Sequence, residues 1–289
     1  MKTQAQLQAR RCCRLVVVLV CIGLTGELGR ADSPTLLCWG DAPCVKGVPK
    51  LDEPLVADRP DFTEVSSTVG LGVVQLEVGY TYVFDNDGID QTIDHSYPEP
   101  LLRVGLLKEW IEFRVGWNYA TELINGIRVS GSEDLLLGFL IGLTPQAGIL
   151  PEMALTPQMT VPVGPDAFTS GETLPGLNWI YAWDLNDWLS AAGSTQLNRR
   201  TDDITTNAYA QWAQSWSVSY KLNDQWGAYT EWFALLPHSA DTESPEHFFN
   251  GGFTFLISNN IQWDIRAGLG LNDAAEDYFA GTGLSMRFY

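Results

Sequence analysis

Nine charged side chains are the first candidates for chemistry: Glu77, Arg103, Glu112, Arg114, Lys221, Glu231, Asp264, Arg266 and Arg287. Each falls on the polar side of a stretch in which apolar and polar residues alternate. Carboxylates and guanidinium groups facing one water-filled space could select a solute by charge, or could pair and brace a wall. Four acids against five bases nearly balance, which favours bracing, although one network can do both. A second set of acids lies between the alternating stretches: Asp85, Asp87, Asp90, Asp94 and Glu99; Asp241, Glu243 and Glu246; Asp273, Glu276 and Asp277. These could bind divalent cations, and a solvated outer surface is the simpler reading. His95, His238 and His247 have neither zinc-ligand spacing nor a nucleophile-elbow serine, so no catalytic, cofactor or metal residue is assigned. Cys38 and Cys44, with five residues between them after a leader, could close a small disulfide loop.

The elements that must position the nine charges are strands. In Val73 to Phe84, Val74, Leu76, Val78, Tyr80, Tyr82 and Phe84 share one face, and Gln75, Glu77, Gly79 and Thr81 the other. Ile111 to Tyr119 and Gln262 to Leu269 repeat the pattern. Alternation predicts twelve strands, at 73–84, 101–107, 110–119, 133–143, 150–161, 174–184, 188–197, 208–222, 226–235, 248–257, 261–271 and 278–289. Connections alternate between tight turns and longer loops at 85–100, 120–132, 162–173, 198–207, 236–247 and 272–277. An even strand number with short turns at one end and long loops at the other is the layout of an outer-membrane barrel. Trp110, Trp188, Trp226 and Trp263 follow tight turns, and Tyr82, Tyr119, Trp183 and Trp232 are expected near the long-loop ends, as two interfacial girdles would require. The last strand ends in alternating Ala280, Thr282, Leu284, Met286 and Phe288, with Tyr289 one residue beyond.

Residues 1–31 read as an export signal: Lys2, Arg10, Arg11 and Arg14 precede an apolar core from Leu15 to Leu24, then Gly29 and Ala31 offer a cleavage site. That core is about half the ~20 residues a spanning helix needs. Removing the segment's five basic and one acidic residues takes the net charge from -18 to -22. It also removes Cys12, Cys13 and Cys21. Such acidity excludes binding to nucleic acid through a basic surface. Disorder is excluded by 45% hydrophobic residues and 11 Trp. Residues 32–62, with Pro34, Pro43, Pro49, Pro54 and Pro60, read as a periplasmic linker, and 63–289 as the barrel.

Specific strings carry a resemblance. Asp58-Arg59-Pro60-Asp61-Phe62-Thr63-Glu64, Gln75 to Tyr82, Leu101 to Gly105 and Ile111 to Trp117 resemble the "putative MetA-pathway of phenol degradation" family. So do Tyr229-Thr230-Glu231, Asn250-Gly251-Gly252, Gln262 to Gly268, Gly270-Leu271-Asn272 and Gly281 to Phe288. The resemblance implies an outer-membrane β-barrel transporter and assigns no catalytic residue. The expectation is an all-β, twelve-stranded, up-and-down antiparallel barrel in a bacterial outer membrane. It would pass small solutes, apolar or aromatic ones among them, with membrane lipids and the barrel-assembly machinery as partners and no cofactor. A barrel with a closed lumen and a structural or surface-binding role is the alternative, and a lipase-type barrel enzyme a further one. A lumen of twelve strands would be narrow beside that of the porins with 16 to 18.

Overall fold

A computed structural model describes residues 35–39, 52–86, 88–202 and 204–288. The signal segment, Cys44 and Tyr289 lie outside the described residues. Fifteen strand segments run in chain order: β1 (Val74–Asn86), β2 (Gln91–Tyr97), β3 (Leu101–Gly105), β4 (Ile111–Gly116), β5 (Tyr119–Ile124), β6 (Ile127–Ser132), β7 (Leu135–Thr144) and β8 (Glu152–Val161). They continue with β9 (Leu174–Asn186), β10 (Leu189–Thr201), β11 (Ala208–Lys221), β12 (Trp226–His238), β13 (Glu246–Ser258), β14 (Ile261–Gly270) and β15 (Tyr278–Phe288). Three pairs of segments continue one another. The stave beside β1 is β2 at its upper end and β3 at its lower end, the next is β5 with β4, and the next β6 with β7. The result is twelve antiparallel staves, closed where β1 pairs with β15 from Val74↔Phe288 to Phe84↔Tyr278.

The break between β2 and β3 falls at Pro98 and Pro100, which have no N–H to give a ladder. Their carbonyls still serve it: Gly79 N donates to Pro98 O at 2.5 Å and Trp117 N to Pro100 O at 3.1 Å. The expected long loops at 85–100 and 120–132 are therefore mostly strand. Asn125 and Gly126, at φ of 51° and 81°, make a two-residue hairpin turn between β5 and β6. The Asn-Gly pair was the signal for it. β2 reads Gln-Thr-Ile-Asp-His-Ser-Tyr, too polar on both faces for alternation to show.

Burial is inverted relative to a water-soluble sandwich. Gln75, Asn178, Ser194, Gln196, Ser215 and Asn250 are buried inside, while Trp179, Trp212, Trp216, Phe253 and Ile265 stand exposed on the outer wall. Trp188 and Trp226 are exposed at the short-turn end. Trp183 departs from the expected girdle: it lies near the Asn186 end of β9, which is also the short-turn end, and Trp232 stands midway along β12. No helix long and apolar enough to cross a membrane occurs among the described residues.

Candidate functional site

The lumen is not empty. Residues 55–73, which precede β1 and form no strand until its start, lie inside the short-turn half of the barrel. Buried backbone without secondary structure needs a partner for each N–H and C=O, and the wall supplies them from charged side chains. Asp58 N and Arg59 N donate to the two oxygens of Glu77 at 3.1 and 3.0 Å. Phe62 N and Thr63 N each donate to Glu231 at 2.7 Å, as does the Thr63 hydroxyl. Val69 N donates to Glu112 at 2.7 Å. In the other direction, Arg103 donates to Val56 O and Ser67 O, both at 3.1 Å, Arg266 to Pro60 O at 2.7 Å and Arg287 to Glu53 O at 2.7 Å.

The segment's own charges complete the network. Arg103 Nε lies 2.7 Å from Glu112 and its Nη1 3.2 Å from Glu77, while Asp58 stands 3.7 Å away. Arg114 bridges Glu112 at 2.9 Å, Asp58 at 3.1 Å and Glu64 at 2.7 Å. Arg59 reaches Glu99 at 2.9 Å and Asp264 at 3.3 Å. Its guanidinium lies flat on the wall where Gly79 and Gly283 pair across the β1–β15 seam, and a methyl group at either glycine would collide with it. Above the charges Phe62 stacks on Phe233, centroids 4.5 Å apart and planes 5° apart, and Phe233 stacks on Phe248 at 4.7 Å.

Seven of the nine side chains singled out in the sequence thus meet at this segment, and Arg287 binds just before it, at Glu53 O. Lys221 does not: it has the right parity on β11 but stands exposed at the turn, 2.9 Å from Asp224, because the strand ends there. Of this segment, residues 55–62 fall in the stretch expected to be a periplasmic linker, and 63–73 in the range expected to be barrel. Asp58, Arg59, Asp61, Phe62, Thr63 and Glu64 were missed as lumen residues because nothing local in a proline-rich, aperiodic stretch tells that a wall will surround it. Inward-facing glycines at 79 and 283 were the available hint. Cys38 is disulfide-bonded.

The long-loop half holds a cavity of about 770 Å³. Two of its loops are joined by Asp202. This carboxylate accepts N–H bonds from Ile204, Thr205, Asp241 and Thr242 at 2.8 to 3.1 Å, and the Thr242 hydroxyl at 2.9 Å. Desolvation pushes its pKa up, and those donors outweigh it, holding the carboxyl below its ordinary range. Another carboxylate, Asp134, gathers the 162–173 loop through Val163 N, Gly164 N and Ser170 N. Among the described residues no group of three or more His, Cys, Asp and Glu side chains is disposed to hold a metal ion.

Comparison with known proteins agrees with this architecture. The sequence model of the family described as "Putative MetA-pathway of phenol degradation" matches residues 57–288. Among solved structures, the translocator domain of the autotransporter NalP from Neisseria meningitidis superposes with a TM-score of 0.50 at 11% identity, covering 76% of this chain and 89% of that one. The NanC porin gives 0.47 at 10% identity, covering 74% and 98%, and the KdgM porin 0.43 at 10%, covering 74% and 99%. At such identities the likeness concerns the barrel fold. No curated protein matches the chain.

Proposed function

Because the chain belongs to the "Putative MetA-pathway of phenol degradation" family, we propose that it is an outer-membrane channel for passive passage of small solutes, closed at rest by residues 55–73. One observation carries this reading. The wall devotes its buried charges to holding a segment that no barrel strand needs, and withdrawal of that segment would leave a polar passage lined by Glu77, Arg103, Glu112, Arg114, Glu231 and Asp264. Bracing and selection then belong to one network, paired at rest and facing solute when open. The stacked Phe233 and Phe248, which Phe62 covers, give planar or apolar solutes a surface inside the lumen. An outer wall of exposed Trp, Phe and Ile supports placement in a lipid bilayer. Outer-membrane lipids and the barrel-assembly machinery are the partners this requires.

The filled lumen equally favours a permanently closed barrel, and one experiment separates the two. Thr63 Oγ1 and Ser215 Oγ are 2.6 Å apart, so a Thr63→Cys/Ser215→Cys variant can lock the segment to β11. Liposome swelling should be suppressed in the oxidised form and restored by reductant, with the parent protein as the reductant control. Equal permeability in both states overturns withdrawal, and no permeability in the parent or in either state favours the closed barrel. A lipase-type site gains no support from the histidines. His95 Nδ1 is 2.8 Å from Tyr80 Oη, and His247 stacks on Trp232.

A further inference from the structure

One stretch of the outer wall does not suit hydrocarbon. Tyr82, His95, Thr121 and Ser130 follow one another in register across β1, β2, β5 and β6. Asp94 and Glu122 line the long-loop cavity, so their chain neighbours His95 and Thr121 face outward. The polar atoms of this patch are joined. Tyr80 Oη lies 2.8 Å from His95 Nδ1, the Thr121 and Ser130 hydroxyls are 2.9 Å apart, and Arg128 Nε donates to Ser130 Oγ at 3.3 Å. Thr121 is buried, which leaves Arg128, Ser130 and the His95 ring as the groups open to a partner. Arg128 is exposed and forms no ion pair among the described residues, whereas Arg199, on the outer face of β10, lies 3.1 Å from Glu172.

A second observation fixes the height of the patch. β6 pairs with β5 alone, and its other edge carries no ladder. Open edges do not occur against lipid hydrocarbon, which sets the β5–β6 hairpin at or above the upper boundary of the apolar band. The tilt of the strands agrees. Followed the other way from Tyr82, the same row descends to Ala191 and Trp183 beside the short turn between β9 and β10, so it climbs from β1 toward β6. Tyr82 lies eight residues along β1 from Val74, a rise of about 20 Å at a tilt of ~40°. Each further strand adds about 3 Å. His95 then stands at the rim of an apolar band ~25 Å tall, and Ser130 and Arg128 stand above it.

We propose that Arg128, Ser130 and His95 hold the phosphate of an anionic lipid headgroup in the leaflet on the long-loop side. A guanidinium offers phosphate paired N–H donors, and a hydroxyl adds one more. With Tyr80 donating to Nδ1, the Nε2 of His95 carries the proton and donates as well. The site rests on the placement of the barrel in a bilayer, but not on whether its lumen opens.

Native mass spectrometry of the purified protein tests it. From micelles holding equal amounts of phosphatidic acid and phosphatidylcholine, the parent should keep one phosphatidic acid after phosphatidylcholine has been stripped. Arg128→Gln should lower that retention by about tenfold or more, and His95→Gln should lower it less. Arg199→Gln removes the same charge from the same outer face and should leave retention unchanged. No preference in the parent, or equal losses in Arg128→Gln and Arg199→Gln, overturns the site. Should Arg128→Gln fail to fold, Arg128→Lys keeps the charge without the fork and should still lose retention that Arg199→Lys keeps. Displacement of the lipid by excess inorganic phosphate would mark a site for the free ion, and a dimer abolished by Arg128→Gln would put a second copy of the chain there; either outcome overturns the lipid assignment. Alkaline carbonate extraction of the parent from phosphatidylcholine vesicles separates the two readings. Protein that stays in the vesicles yet shows no lipid preference sinks the site alone, whereas protein that is released overturns the bilayer placement with it.

Discussion

At Arg103 one guanidinium faces three carboxylates, Glu77, Glu112 and Asp58, in a space that water does not reach. Desolvating such charges costs several kcal/mol per ion, which mutual attraction and hydrogen bonds must offset. Removing the hub alone should therefore cost more than removing the whole cluster. Arg103→Met is expected to lower unfolding free energy by about 3 to 5 kcal/mol, read by urea denaturation in lipid vesicles. Combining it with Glu77→Gln and Glu112→Gln should return part of that loss; a further loss on adding them would contradict the account. Glu231 offers a second test, since it accepts from two backbone N–H groups and the Thr63 hydroxyl. Glu231→Ala strands those donors at about 1 to 3 kcal/mol each. Chymotrypsin should then cut after Phe62 many times faster than in the parent, whereas unchanged protection would show that the segment is held by other contacts.

Elements were legible in the sequence in proportion to how different their two faces are. β11 reads Ala-Tyr-Ala-Gln-Trp-Ala-Gln-Ser-Trp-Ser-Val-Ser-Tyr-Lys, with tryptophans on one parity and serines on the other, and its limits differ from the alternation by a single residue. β2, polar on both sides, was invisible to the same test, and β6, only six residues long, was too short for its alternation to stand out. Loops at the upper rim depend on single carboxylates instead of periodicity. Asp202 ties the 202–207 loop to residues 241 and 242. Its folded carboxyl titrates below the ordinary 3.8, so the latch contributes fully above that value and is lost as pH falls through the lower folded value. A spin label at Ser244→Cys should be constrained at pH 6 and gain mobility only as pH drops below about 3.8. With Asp202→Asn the label should be mobile already at pH 6; a constrained label there would show that other contacts hold the loop.

For the whole molecule, the inversion of burial sets where charge is tolerated. Trp216 lies outward on the middle of β11, and Ser217, its neighbour, points inward. Trp216→Arg should destabilise the barrel in lipid by about 2 to 4 kcal/mol, and the loss should shrink in detergent micelles, where the wall is less deeply covered; equal losses would argue against a bilayer-facing wall. The global closure was readable from the strand count, but the filling of the lumen was not. Pairing of Glu231 with Phe62 joins residues far apart in the chain, and no window of sequence reports that. The seam gives this filling a further meaning. β1 and β15 are the first and last staves to be made, and their register could slide by two residues while preserving which side chains face inward. Arg59 lies where Gly79 meets Gly283. A two-residue slide that brings Ser285 opposite Gly79 and Gly283 opposite Thr81 would break the bare patch into two separated notches. The guanidinium then has no flat bed, and the segment cannot seat. The inserted chain is in this sense a gauge of assembly, refusing a barrel that has been sealed with that slip.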